Sequence, residues 1–144
     1  MSTNHKQDLI TSWLSLTQTQ AMITNELEQT LQHQHDLSLN EFYVLLFLFE
    51  APEKKLRLQQ LQAMVGLSQS AISRLVSRFE AKGCGAMQRA ICENDRRGIY
   101  TSLTSIGEDK LQRARITVLN VLEQQFSSPK FRQGVQNMME IIKS

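Results

Sequence analysis

The stretch from Leu56 to Lys82, LRLQQLQAMVGLSQSAISRLVSRFEAK, limits what this chain can fold into more than any other. Leu58, Leu61, Met64 and Val65 recur at intervals of three and four, the spacing that puts apolar groups on one helical face. Gly66 follows at once, where a helix ends because glycine takes positive φ without a Cβ clash. Leu67 and Ser68 make a corner, and the Ser68 hydroxyl suits an N-cap that accepts from the next turn's free N–H groups. A second helix is predicted to run on to Lys82, with Gly83 as its stop. Its apolar residues, Ile72, Leu75, Val76 and Phe79, form one buried stripe.

The other side of that second helix is small and polar. Gln69, Ser70, Ser73, Arg74 and Ser77 fall there, with Ser68 at the start and Arg78 further along. A helix in the DNA major groove needs short side chains for close approach, and Gln, Ser and Arg to read base edges. An ordinary amphipathic helix with a solvated polar face shows the same pattern. The corner before the helix and a basic hairpin after it favour DNA.

Charge supports that choice once it is divided along the chain. The net charge of the 144 residues is only +2. Residues 1–53 carry one basic group against seven acids, whereas residues 54–115 carry twelve Lys and Arg against five. The basic groups thus concentrate in the segment that holds the helix pair, as expected where one part of a chain meets phosphates. The length suits one domain, and no run of eighteen apolar residues is present to span a membrane. The polar start MSTNHKQDLI lacks a signal-peptide core, and two cysteines are too few for a disulfide scaffold. A cytoplasmic protein is expected.

Residues 8–33 hold a long helical pattern through Leu9, Ile10, Trp13, Leu14, Leu16, Ile23, Leu27 and Leu31. Ser38 and Glu41 have capping-box spacing, and FYVLLFLFE beyond them predicts a buried helix closed by Pro52. Ala86–Ile91 and Ile99–Leu103 read as two strands around the turn residues CENDRRG, a hairpin with Arg96 and Arg97 at or near its tip. Thr104 then caps a helix to about residue 126, and Pro129 starts a last short one.

Helix, corner, helix and basic hairpin form a winged helix-turn-helix. More closely, LSQSAISRLVSRFEAKG followed by ENDRRGIYTSLTSIGEDKL resembles the MarR family of transcriptional regulators. The shared features are an Asp-x-Arg wing (Asp95, Arg96, Arg97) and Leu-Thr-x-x-Gly (Leu103 to Gly107). The resemblance implies a mainly α fold with a small β wing, a single domain over residues 1–144. Its winged DNA-binding lobe would span 38–104, between dimerisation helices at 8–33 and 116–143. It further implies a homodimer on a near-palindromic double-stranded operator, with Arg97 in the minor groove and Asp95 orienting it. Two positions depart from the family pattern. Gln59 stands where a hydroxyl or acidic cap is usual, and Gly83-Cys84-Gly85-Ala86 replaces a bulkier first wing strand.

The remaining chemistry is thin. His33 and His35, two residues apart, do not share a helix face and have no thiolate near them in sequence, so a surface role is expected and no metal. Cys84 and Cys92 flank the first wing strand and are expected to be inert, with an oxidant sensor as the alternative. Nothing suggests a cofactor or an enzyme. A small aromatic ligand, in such a family, would sit in a cleft for which Trp13, Phe42 and Phe47 are the large aromatic groups. Those rings read more readily as plain core. The leading function is a DNA-binding repressor relieved by a ligand or stress signal; the alternative is a winged-helix antirepressor without operator binding.

Overall fold

The computed structural model describes residues 2–80, 84–91 and 99–143. Its elements are α1 (Ser2–His35), α2 (Leu39–Glu50), a 3-10 turn (Pro52–Lys54), β1 (Lys55–Arg57), α3 (Leu58–Val65), α4 (Gln69–Phe79), β2 (Met87–Ile91), β3 (Ile99–Leu103), α5 (Ser105–Phe126) and α6 (Pro129–Lys143). The fold is therefore mainly α with one small antiparallel sheet, in the order β1-β3-β2. The chain divides into two compact units: a central lobe, residues 36–116, and a terminal-helix unit, residues 1–35 with 117–144. Among the described residues, no helix is long and apolar enough to cross a membrane.

The lobe is built from locally well-specified pieces. Ser38 and Glu41 form the capping box that starts α2: Glu41 N–H donates to Ser38 Oγ at 3.1 Å, and Ser38 N–H to Glu41 Oε1 at 2.7 Å. From α2, Phe42, Val44, Leu45 and Leu48 enter the core. Gly66, at φ +81°, closes α3 with its N–H on Gln62 O at 2.9 Å. Ser68 Oγ accepts from Ala71 N–H at 3.2 Å and starts α4. Leu61 of α3 and Ile72, Val76 and Phe79 of α4 are buried, each contributing roughly 1.5–3 kcal/mol relative to exposure.

The Leu-Thr-x-x-Gly segment fastens the wing root to α5. Thr104 donates its N–H to Ala86 O at 3.1 Å and its hydroxyl to Gly85 O at 2.6 Å. The Thr104 hydroxyl oxygen also accepts from Gly107 N–H at 3.1 Å, as an N-cap does. A Cβ on Gly107 would collide with the Ala86 carbonyl and the Leu103 side chain, so only glycine fits.

Several sequence expectations need correction. Leu56, expected to open the helix pair, is the centre of β1 and pairs with Thr101, which makes the sheet three-stranded rather than a two-stranded hairpin. Three residues are too few to show a strand period. The N-cap of α3 is Arg57, whose N–H donates to Gln60 Oε1 at 2.9 Å; Gln59 lies inside the helix. Helix α4 stops at Phe79, not Lys82. Glu80 leaves helical geometry because partners outside the helix take its groups: its carbonyl accepts from Gly85 N–H at 3.1 Å, and its carboxylate binds Arg89. Lys82 and Gly83 lie outside the described residues. Helix α1 starts at Ser2, earlier than residue 8, and ends at His35.

In the terminal-helix unit α1 packs on α6. Phe126 and Phe131 stack at the turn between α5 and α6, centroids 4.8 Å apart. His35 Nε2 lies 2.6 Å from Thr117 Oγ1 at the end of α1. Among the described residues, no three His, Cys, Asp or Glu cluster to hold a metal ion.

Candidate nucleic-acid interface

Helix α4 has three kinds of side, set by a rotation of roughly 100° per residue. Ile72, Val76 and Phe79 make the buried side. Arg74 falls almost diametrically opposite, with Ser70 beside it; both are exposed. Arg74 makes no side-chain hydrogen bond or ion pair among the described residues. Gln69 is exposed at the first turn, and Ser68 is engaged as the cap, with its hydroxyl also 3.3 Å from Ser70 Oγ.

The two flanks of the helix are tied to the rest of the lobe. On one flank Arg78 reaches the start of α2. Its guanidinium lies 3.3 Å from Glu41 Oε2 and 3.7 Å from Asp36 Oδ2, and it donates to Asp36 O at 3.4 Å. Glu41 is nearly buried, so its second oxygen needs this partner once the first has taken Ser38 N–H. On the other flank Arg89 of β2 donates to Ser77 Oγ at 3.0 Å and to Ser73 O at 3.4 Å, and pairs with Glu80 at 2.5 Å.

The expected DNA-facing set therefore separates. Gln69, Ser70 and Arg74 stand outward; Ser73 and Ser77 turn towards the wing; Arg78 braces the lobe. Asp95, Arg96, Arg97 and Cys92 lie outside the described residues, while Cys84 is an exposed free thiol. Arg89 was not among the site residues that the sequence singled out. The sequence held only part of the signal: Met87 and Arg89, two apart, share a strand face, and the structure buries Met87 wholly, so Arg89 also points inward. Of the three aromatic residues expected at a ligand cleft, Trp13 is exposed on α1, Phe42 is lobe core, and Phe47 is half-buried against Tyr43, centroids 6.2 Å apart. A shallow hollow in the terminal-helix unit, lined by Thr19, Ile23 and Phe131 among others, contains none of them.

Charge on the lobe is positive: residues 36–116 carry twelve Lys and Arg against nine Asp and Glu, +3, whereas the terminal-helix unit carries four against five, −1. Several of the twelve are spent on local partners. Lys54 pairs with Glu108, Lys55 with Glu53, Arg113 with Asp109, and Arg57 donates to the Tyr100 hydroxyl.

The MarR family model matches residues 35–84, from the end of α1 through α4 to the turn beyond it. No curated protein sequence matches the chain. Among solved structures, Sco3205, a MarR family transcriptional regulator from Streptomyces coelicolor in complex with DNA, superposes with a TM-score of 0.73 at 24% identity, over 91% of this chain and 82% of that one. The transcriptional regulator BldR from Sulfolobus solfataricus gives 0.70 at 24% identity, over 93% and 96%. BpsR from Bordetella bronchiseptica, whose DNA binding is regulated by 6-hydroxynicotinic acid, gives 0.66 at 16%, over 90% and 96%. At these identities the likeness establishes the fold. Residues 35–84, which hold the helix-turn-helix, thus match the MarR family model, and the chain has the fold of Sco3205, a solved MarR family regulator.

Proposed function

We propose that the chain is a sequence-specific double-stranded-DNA-binding transcriptional regulator that acts as a homodimer and represses from a near-palindromic operator. The observation that carries this reading is Arg74, exposed at the centre of the outward face of α4 with no side-chain partner among the described residues, while both flanks of that helix are held. A planar guanidinium offered in this way suits a bidentate contact to guanine in the major groove. The basic balance of the lobe and the DNA-bound state of Sco3205 support it. Arg97, with Asp95 to orient it and Arg96 beside it, is assigned to an adjacent minor groove, where a narrow A·T-rich segment attracts arginine. The reading extends to relief by a small ligand, by analogy with BpsR, whose DNA binding is regulated by 6-hydroxynicotinic acid; Trp13, Phe42 and Phe47 are the aromatic groups to examine.

The test is selection of bound sites from random duplex DNA, followed by substitution. Arg74→Ala should weaken the selected operator by about 1–3 kcal/mol while barely changing binding to random duplex. Arg97→Ala should weaken it most at A·T-rich flanks. Equal loss of Arg74→Ala binding on both DNAs would assign Arg74 to phosphate. A wild-type protein that enriches no site would instead favour the antirepressor.

A further inference from the structure

Arg89 is an inward-pointing charge on a wing strand. In the β2–β3 ladder it stands opposite Thr101, two residues from the Met87–Leu103 pair, and Thr101 and Met87 are wholly buried. An arginine at such a register position needs a partner, because an unpaired charge on the core side is costly. It finds three, all on one flank of α4. Ser73 and Ser77, four residues apart, share a line along the helix, and Glu80 follows as the residue that ends it. The guanidinium spans that line, with Nε at the Glu80 carboxylate and one terminal nitrogen on Ser77 Oγ and Ser73 O. Glu80 is itself fixed, as the residue that ends α4 and whose carbonyl accepts from Gly85 N–H before β2 begins.

We infer that Arg89 and Glu80 form a brace that makes β2 and the recognition helix one rigid reading unit, and that Arg89 is a positioning residue rather than a DNA contact. The consequence for operator binding rests on the function proposed above; the brace itself does not. Both side chains are about 30% exposed, 31% for Arg89 and 30% for Glu80, so the pair lies between a screened surface bridge and a desolvated one. Its value lies in geometry. A wing free to tilt against α4 would still attract phosphates, yet would fail to place groove-reading groups together.

Glu80 gives a test whose sign separates the two readings. If Arg89 merely supplied positive charge to DNA, Glu80→Gln would remove a nearby negative charge and tighten binding to every duplex. The brace requires the opposite: Glu80→Gln should weaken the selected operator by about fivefold or more, with random-duplex affinity and salt slope unchanged. Arg89→Lys should act alike, since a lysine cannot span all three partners. In an Arg89→Met background, Glu80→Gln should cost nothing further. Amide hydrogen exchange of the free protein supplies the arm independent of DNA. In Glu80→Gln, the amides of β2 and of the last turn of α4 should exchange faster together. Unchanged exchange, or tighter operator binding by Glu80→Gln, would overturn the brace. A wild-type protein that selects no duplex would overturn the DNA reading alone, and exchange would still decide the brace.

Discussion

The central lobe and the terminal-helix unit treat their apolar residues in opposite ways. In the lobe, every long helix turns a stripe inward, and Leu45, Leu61, Ile72 and Val76 are wholly buried. Helix α1 is 34 residues long, yet Leu27 and Leu31 are its only buried hydrophobic residues among the described ones. Leu9, Ile10, Trp13 and Leu14 remain exposed on it, as do Leu119 on α5 and Met139 and Ile142 on α6. Trp13 is 63% exposed and Ile142 70%. A single chain thus gives the lobe a filled core, although Met64, Ile106 and Ile116 stay exposed on it, but buries little of the terminal helices. Apolar surface of that extent normally meets another surface, and the commonest symmetric answer is a second copy.

The contrast is broken most severely by charging the exposed side. Trp13→Glu combined with Ile142→Asp should convert a dimer to a monomer in light scattering at micromolar concentration, with a large drop in thermal midpoint. On a surface that is exposed in solution, such changes would stay within about 0.5 kcal/mol. An unaltered midpoint, or a wild-type protein already monomeric, would remove the argument for the homodimer.

A smaller effect sharpens the other half. Ile72→Ala, in the lobe core, should cost about 2–5 kcal/mol of unfolding free energy through lost burial and the cavity left behind. That loss should not depend on protein concentration, because the lobe's core is supplied by its own chain. A loss that shrinks as concentration rises would mean that the lobe too depends on assembly.

How legible these regions were follows from the same physics. Periodicity, Gly66, Ser68 and the Ser38–Glu41 box each act over a few residues, so both helices of the pair and their corner could be read directly. Strand β1 could not, because Leu56 is held by a partner more than forty residues away in β3. The end of α4 escaped for a related reason: Glu80 is drawn out of the helix by Gly85 and Arg89, neither of which is its neighbour in sequence. At the candidate site, the polar face of α4 was legible as a face but not as three parts. Arg78 and Arg74 look alike in sequence, and only the position of Asp36 and Glu41 shows that one is a brace.

The smallest effect falls on Ser68, where stability and binding can be pulled apart. Its hydroxyl caps α4 through Ala71 N–H, so Ser68→Ala should cost about 1 kcal/mol of stability, measured by urea unfolding. Ser68→Asp keeps an oxygen acceptor at the cap and adds a negative charge beside the positive end of the helix dipole, which should hold or slightly raise stability. The same charge would stand at the first turn of the recognition helix, the end that approaches DNA in the proposed complex. Repulsion from phosphates should then weaken binding to operator and random duplex alike, and more strongly at low salt. Ser68→Ala should show the reverse balance, a stability loss with a lesser binding loss. If Ser68→Asp instead bound DNA as well as the wild type, the N-terminus of α4 would point away from the duplex. Arg74 would then have to be reassigned along with it.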